Sequence, residues 1–185
     1  LKQSEPANAM LSRLSAFLRY TLANEPTAQV TLAQEIETLK LYLEIEKMRF
    51  EERLRPHFEI DPAVARARLP SLLLQPLIEN AIKYAVTPQE DGADITLSAQ
   101  LAGQNVRITV SDTGTGLSGE ATDPTTGVAT ESTGVGLANI RDRLAQAFGD
   151  QQRFDTYSGA DGGFTVVIEF PFQPEGQPMI GTERT

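Results

Sequence analysis

Apolar residues along the first fifty positions recur at intervals of three and four. Met10, Leu11, Leu14, Phe17, Leu18 and Leu22 fall at helical spacing, and Asn24-Glu25-Pro26 ends the run. Thr31 with Gln34 has the pattern of a capping box, after which Leu32, Ile36, Leu39, Leu43 and Phe50 line one face of a second helix. Leu41, Ile45 and Met48 line another face. Two apolar stripes on one helix need two partners. Residues 7–52 are therefore predicted to form a helical hairpin that also packs on the following domain or on a second subunit.

From Leu54 the period shortens to two. Strands are expected over 54–60, 95–101 and 106–112, the last two joined at Ala102-Gly103 as a hairpin. Residues 72–86 read as a helix despite Pro76, which lacks a donor and so places the regular start near itself or bends the helix there. Residues 117–133 are rich in Ser, Thr, Gly, Asp and Pro, and a stretch that long without apolar periodicity reads as a lid. An amphipathic helix over 136–148, through Leu137, Ile140 and Leu144, is stopped by Gly149. Strands over 153–157 and 164–170 flank Gly159-Ala160-Asp161-Gly162-Gly163, and a Pro-, Gly- and Gln-rich tail follows that is expected to be disordered over 173–185.

Composition narrows the function classes. The 185 residues are 40% hydrophobic, enough for one good-sized core with an appendage. A net charge of -9 offers no basic stripe to displace counterions, so no nucleic-acid partner is expected. A nucleotide can still bind through backbone N–H groups and a metal. Without cysteine there is no disulfide framework and no thiol nucleophile, and the single histidine, His57, rules out a histidine-rich metal cluster. No apolar run is long enough to span a bilayer and no signal-like leader is present, so the chain is expected to be soluble. Starting at Leu1 almost directly in a helical pattern, it is read as a fragment of something longer.

Three short segments carry chemistry. Mg2+ takes hard oxygen ligands and uses the substrate's own phosphates, so the Asn80 carboxamide on the 72–86 helix is a sufficient protein ligand. Leu74, Leu77, Ile78, Ala81 and Ile82 face the core at helical spacing and leave Asn80, Lys83 and Tyr84 on the site side, with Lys83 as a point charge for a phosphate. Asp112 closes a core strand, where its carboxylate can accept from an adenine amino group. Gly114 and Gly116 allow the backbone to approach the ring and hinge the lid. Gly134-Val135-Gly136-Leu137 opens the last helix, whose unpaired N–H groups and positive dipole end favour an anion such as a triphosphate. Asn139 and Arg141 are further phosphate neighbours, with a solvated face as the plainer reading. Neither a Walker sequence nor a Rossmann fingerprint occurs.

The order of these segments resembles the catalytic ATP-binding part of sensor histidine kinases, within the gyrase, Hsp90, histidine kinase and MutL superfamily, and most closely the LytS type. Residues 39–50 resemble the helix before the catalytic domain and 72–83 the N box. Residues 112–116 and 134–143 resemble the first and second glycine boxes. The resemblance implies an α+β fold: a two-layer α/β sandwich of the Bergerat type, with a mixed, mostly antiparallel sheet, preceded by a helical hairpin. It implies residues 1–52 as a partial dimerisation region, 53–172 as the ATP-binding domain, ATP and Mg2+ as ligands, and a homodimer through the hairpin. A response regulator is the implied partner. The fragment is expected in the cytoplasm and the parent protein in the bacterial inner membrane. The nucleotide-binding set is Asn80, Lys83, Tyr84, Asp112, Gly114, Gly116, Leu117, Gly134, Val135, Gly136, Leu137 and Thr165, with Asn80 also holding the metal.

The departures from the family are as informative. Superfamily members that split ATP with water resemble one another in a glutamate four residues before the N-box asparagine; here that position is Pro76, so a hydrolase is disfavoured. The family's acceptor histidine lies in a Pro-His-Phe-Leu-Phe-Asn stretch before the hairpin, and this chain lacks it. Pro56-His57-Phe58 follows the helices and lies in a predicted strand, so His57 reads as a partly exposed strand residue. Tyr84 replaces a frequent histidine. Strand alternation from Pro171 turns Thr165 away from Asp112, with Phe164 in the position beside it. Glu79 takes no assigned role. The expectation is a kinase core that binds ATP without phosphorylating itself; a nucleotide-sensing or dimerisation module is the alternative.

Overall fold

Thr31 and Gln34 form the reciprocal cap that their spacing requires. In the computed structural model, which describes residues 4–23, 28–115, 131–159 and 162–173, Thr31 Oγ1 accepts from the Gln34 N–H at 3.3 Å, and Gln34 Oε1 accepts from the Thr31 N–H at 2.9 Å. Helix α2 (Leu32–Phe50) follows. Helix α1 (Ser4–Ala23) packs on it, with the Phe17 and Tyr42 ring centroids 5.9 Å apart. Of the two apolar stripes on α2, the one from Leu32 to Phe50 is buried in the main core, while Met48 on the other is 43% exposed. That core is continuous from α2 into the sheet, so packing does not break between residues 52 and 53. The Asn24-Glu25-Pro26 stop lies outside the described residues.

Five strands form the main sheet in the order β2 (Leu54–Ile60), β4 (Ala93–Ala102), β5 (Asn105–Asp112), β7 (Phe164–Pro171) and β6 (Arg153–Ser158). β2 runs parallel to β4, and the other three pairings are antiparallel. Register partners such as Leu97 with Val110 and Val110 with Val166 alternate into a buried row. This face packs under α2, α3 (Gln75–Ala81) and α4 (Glu131–Phe148), giving the expected two layers. The opposite face carries ion pairs, among them Arg55 and His57 with Asp94. These hold the Asp94 carboxyl below the usual range, Arg55 most strongly. His57 stands exposed on edge strand β2, its Nε2 2.8 Å from Asp94 Oδ1.

Four details differ from the sequence reading. The helix expected over 72–86 has its regular start at Gln75, next to Pro76 as expected, with Pro76 in the first turn where a missing N–H breaks no helical bond. It loosens into a π turn over Ile82–Val86, which ends as the Thr87 N–H and Oγ1 both donate to Ile82 O. Short strands β1 (Gln29–Thr31) and β3 (Arg68–Pro70) form a two-stranded ribbon that no alternation announced. Helix α4 starts at Glu131, five residues before its expected start, so 131–133 are helical and not lid. Ala102 ends β4, leaving Gly103-Gln104 as the turn. The rest of the expected lid, and the tail beyond residue 173, lie outside the described residues.

Candidate nucleotide-binding site

Asp112 ends β5 on the helix-covered face because Val106, Ile108 and Val110 alternate into the core before it. Its Oδ1 accepts from the Gly114 N–H at 3.0 Å and the Phe164 N–H at 3.3 Å. Both bonds fall on one oxygen, which leaves Oδ2 with acceptor capacity. Burial raises the Asp112 pKa above its ordinary value, while the Gly114 and Phe164 N–H groups oppose the shift.

The first glycine box is pressed against the turn that follows the N box. A Cβ on Gly114 would lie 2.7 Å from Ala85 Cβ and 3.0 Å from Asp112 Oδ1. From the other side the Gly163 N–H donates to Gly114 O at 2.6 Å; Gly163 has φ +82, and a Cβ there would meet Asp112 O. Gly114→Ala is expected to cost about 1–3 kcal/mol by overpacking and to weaken nucleotide binding beyond that loss by moving Asp112. Urea denaturation and nucleotide titration of the same variant check the two effects.

Asn80 stands half-buried on α3, and its Nδ2 is enclosed with no hydrogen-bond partner. A Cβ on Gly136 of α4 would lie 3.7 Å from that nitrogen, so the N box and the second glycine box face each other at Asn80. An enclosed, unpaired amide costs about 1–3 kcal/mol, and such groups point to a missing partner. Among the described residues no three His, Asp or Glu side chains gather around a metal position. The Asn80 carboxamide oxygen fits a magnesium ion that completes its shell with phosphate and water, as magnesium commonly does.

Other candidates are placed less uniformly. Lys83 is exposed, with Nζ 4.8 Å from the Tyr84 ring centroid, and Tyr84 is half-buried. Leu137 packs partly against the core. Gly134 and Val135 lie within the first turns of α4, so the free N–H groups at its N-terminus begin earlier than expected. Gly116 and Leu117 lie outside the described residues. Thr165 pairs with Ser111 on the face opposite the helices, and the residue beside Asp112 is Phe164, through its backbone N–H. Arg141 stacks over Phe154 at 5.0 Å, and Asn139 is exposed. Glu79 Oε1 accepts from Gln75 Nε2 at 2.8 Å.

Sequence reasoning missed two charged residues behind the site. Glu35 of α2 is 1% exposed. Its two oxygens accept from the Leu72 and Leu74 N–H groups, each at 2.9 Å. Burial pushes its pKa up, against the pull of these N–H groups and of Arg143. Arg143 of α4 donates to Leu72 O at 3.1 Å and to Ser71 O. Glu35 falls on the same helical stripe as Leu32, Ile36 and Leu39, and that placement was the available signal.

Comparison with known proteins agrees with this geometry. Residues 66–174 match the family model of histidine kinase-, DNA gyrase B- and HSP90-like ATPases, and residues 1–54 match a histidine kinase model. The sensor histidine kinase YesM of Bacillus subtilis is 35% identical over 94% of this chain and 29% of its own length. The sensor protein LytS of Enterococcus faecalis is 29% identical over 94% of this chain and 30% of its own. The chain thus spans under a third of the curated relatives it matches. In fold, the catalytic domain of the histidine kinase ThkA aligns with TM-score 0.61 and 20% identity over 80% of this chain and 98% of that one. ThkA in complex with the response regulator TrrA aligns with TM-score 0.54 and 18% identity over 92% and 50%. With the N box, Asp112 and the second glycine box gathered at one end of the sheet, the chain belongs to the histidine kinase-, DNA gyrase B- and HSP90-like ATPases, as a sensor histidine kinase ATP-binding region related to LytS.

Proposed function

We propose that this chain is the kinase core of a two-component sensor: it holds Mg-ATP and presents the γ-phosphoryl to a histidine outside these 185 residues, from which a response-regulator aspartate takes it. The observation that carries the reading is the convergence at Asn80, where an enclosed unpaired carboxamide faces Gly136 while Asp112 offers Oδ2 beside Gly114. Asp112 reads the adenine amino group. Asn80 gives its oxygen to magnesium and its Nδ2 to a phosphate oxygen, and the start of α4 receives the phosphates. Magnesium, when bound, neutralises phosphate charge, and the chain's own part is to position the nucleotide and hold it.

Pro76, four residues before Asn80, supplies no base for water, which favours transfer over hydrolysis. His57 sits on the outer sheet face, paired with Asp94, on the opposite side from Asp112 and the helices. The hairpin is the proposed homodimer contact: Met10, Leu11 and Leu18 on α1 are 36%, 61% and 47% exposed. Residues 1–52 then serve dimerisation and 53–172 catalysis, on the cytoplasmic side of a membrane-anchored parent. The test is calorimetric titration with Mg-ATP, expected to show one site per chain. A longer chain that restores the upstream helix should form acid-labile phosphate on its histidine, and steady phosphate release from the 185 residues alone would favour the hydrolase reading instead. Binding without any phosphohistidine in the longer chain would favour a nucleotide-sensing module.

A further inference from the structure

The turn at residues 71–74 leads directly into the N-box helix, and it is gripped from both sides by opposite charges. Helix α2 supplies the carboxylate of Glu35 to the Leu72 and Leu74 N–H groups. Helix α4 supplies the guanidinium of Arg143 to the Ser71 and Leu72 carbonyls. Leu72, between them, has φ +57, a left-handed conformation that a branched side chain adopts only at a cost and that the surrounding contacts must hold. Ser71 and Leu74 are fully buried and Leu72 is half-buried, so the Leu74 N–H and the Ser71 carbonyl depend on these partners rather than on water.

We propose that Glu35 is a positioning residue for the nucleotide site: with Arg143 it fixes the turn that sets the placement of α3, and so ties Asn80 to the helical hairpin on one side and to the second glycine box on the other. Three further observations support it. Two turns further along α2, the charge of Glu79 on α3 helps raise the pKa of the half-buried Tyr42, after burial itself and Glu46. Asn80 lies one turn and a half beyond Leu74, within the rigid span of a short helix. Arg143 lies two turns after Gly136, on the helix that faces Asn80. A shift of α2 along its axis would pull on the Leu72 and Leu74 N–H groups. Nucleotide affinity and the state of the hairpin are coupled through this turn, and the coupling is reciprocal.

The inference rests on ATP binding at Asn80 and Asp112, so wild type and Asp112→Asn are titrated alongside the test variants. In Glu35→Gln the new amide faces an N–H with a second donor, and Mg-ATP affinity is expected to fall at least tenfold in a chain that still folds. Arg143→Lys, which loses the forked grip, is expected to do the same, and the double variant to lose less than the two losses combined because both act on one turn. The control is Val106→Ala, a buried position at the far end of β5 from Asp112, which lowers stability without touching the turn. It should change affinity less than twofold. The side-chain NH2 resonance of Asn80 should move in Glu35→Gln and Arg143→Lys and stay in Val106→Ala. The proposal is overturned if wild type binds and folded Glu35→Gln binds equally, or if the Asn80 resonance stays put. Should Glu35→Gln fail to fold, Arg143→Lys decides by the same two readouts. Wild type that does not bind ATP defeats the functional reading itself and is thereby told apart.

Discussion

Asp112→Asn is expected to lose about 100-fold in Mg-ATP affinity, the cost of a buried donor set against a donor, while melting at or above the wild-type temperature at pH 7. The two effects have separate origins at the same atoms. Oδ1 accepts the Gly114 and Phe164 N–H groups, and an asparagine oxygen keeps both bonds. The other end becomes an NH2 that meets the adenine amino group with a second donor. Rotating the amide does not help, because the NH2 then meets the two backbone donors instead. Guanine carries an acceptor where adenine carries that amino group, so the preference for ATP over GTP should narrow.

The stability arm follows from the raised pKa of Asp112. A carboxyl that titrates higher in the fold than in the unfolded chain leaves stability untouched below the unfolded value. It then removes stability as pH rises through the folded value, because in that window the folded state holds the proton and the unfolded state does not. Above the ordinary aspartate range the fold bears a cost for burying this carboxyl that asparagine does not carry. The stability gap between variant and wild type should therefore close as pH falls toward the ordinary aspartate range. Thermal melts across that range, with titrations at pH 7, separate the arms. A variant that binds ATP like wild type would remove Asp112 from the site.

What the sequence disclosed and what it hid divide along a physical line. Local signals were readable: Thr31 with Gln34 makes the cap its spacing promises, Pro76 stands in the first turn of α3, and the β4–β5 hairpin registers within a residue or two of its pattern. The face of Thr165 also followed from alternation alone. What escaped was non-local or too short to show a period. The β1–β3 ribbon is three residues a side, less than one full repeat of alternation beyond a pair. The π turn uses the same apolar residues, Ile82 and Val86, that an α-helix over them would bury, and hydrogen bonds reaching five residues back, such as that from Thr87 to Ile82, distinguish it. Glu35 and Arg143 are joined through a turn far from both in sequence, so nothing near either residue marks them as a pair. Helix α4 begins before its two glycines, so Gly136 lies inside the helix across from Asn80 rather than at its N-terminus, and no apolar period marks that start.

Asn80→Ala is expected to abolish the dependence of ATP affinity on magnesium. The wild-type amide stands with Nδ2 enclosed and unpaired against Gly136, and removing it relieves about 1–3 kcal/mol of unmet hydrogen bonding at the expense of a small void. The fold should thus survive with little change in melting temperature. Binding should not survive in the same way. Without Asn80 the described residues gather no other side-chain cluster for a metal, so the ion would be held by phosphate and water alone. ATP affinity should drop at least tenfold in magnesium and become nearly the same with magnesium or with chelator. Asn80→Asp supplies the contrast: its carboxylate can still ligate the metal, but it opposes the phosphates and has no donor for them, so magnesium dependence should persist at weaker overall affinity. Paired titrations with magnesium and with EDTA read both variants. If Asn80→Ala keeps the wild-type response to magnesium, the metal is held elsewhere and Asn80 is a structural amide of the α3–α4 contact.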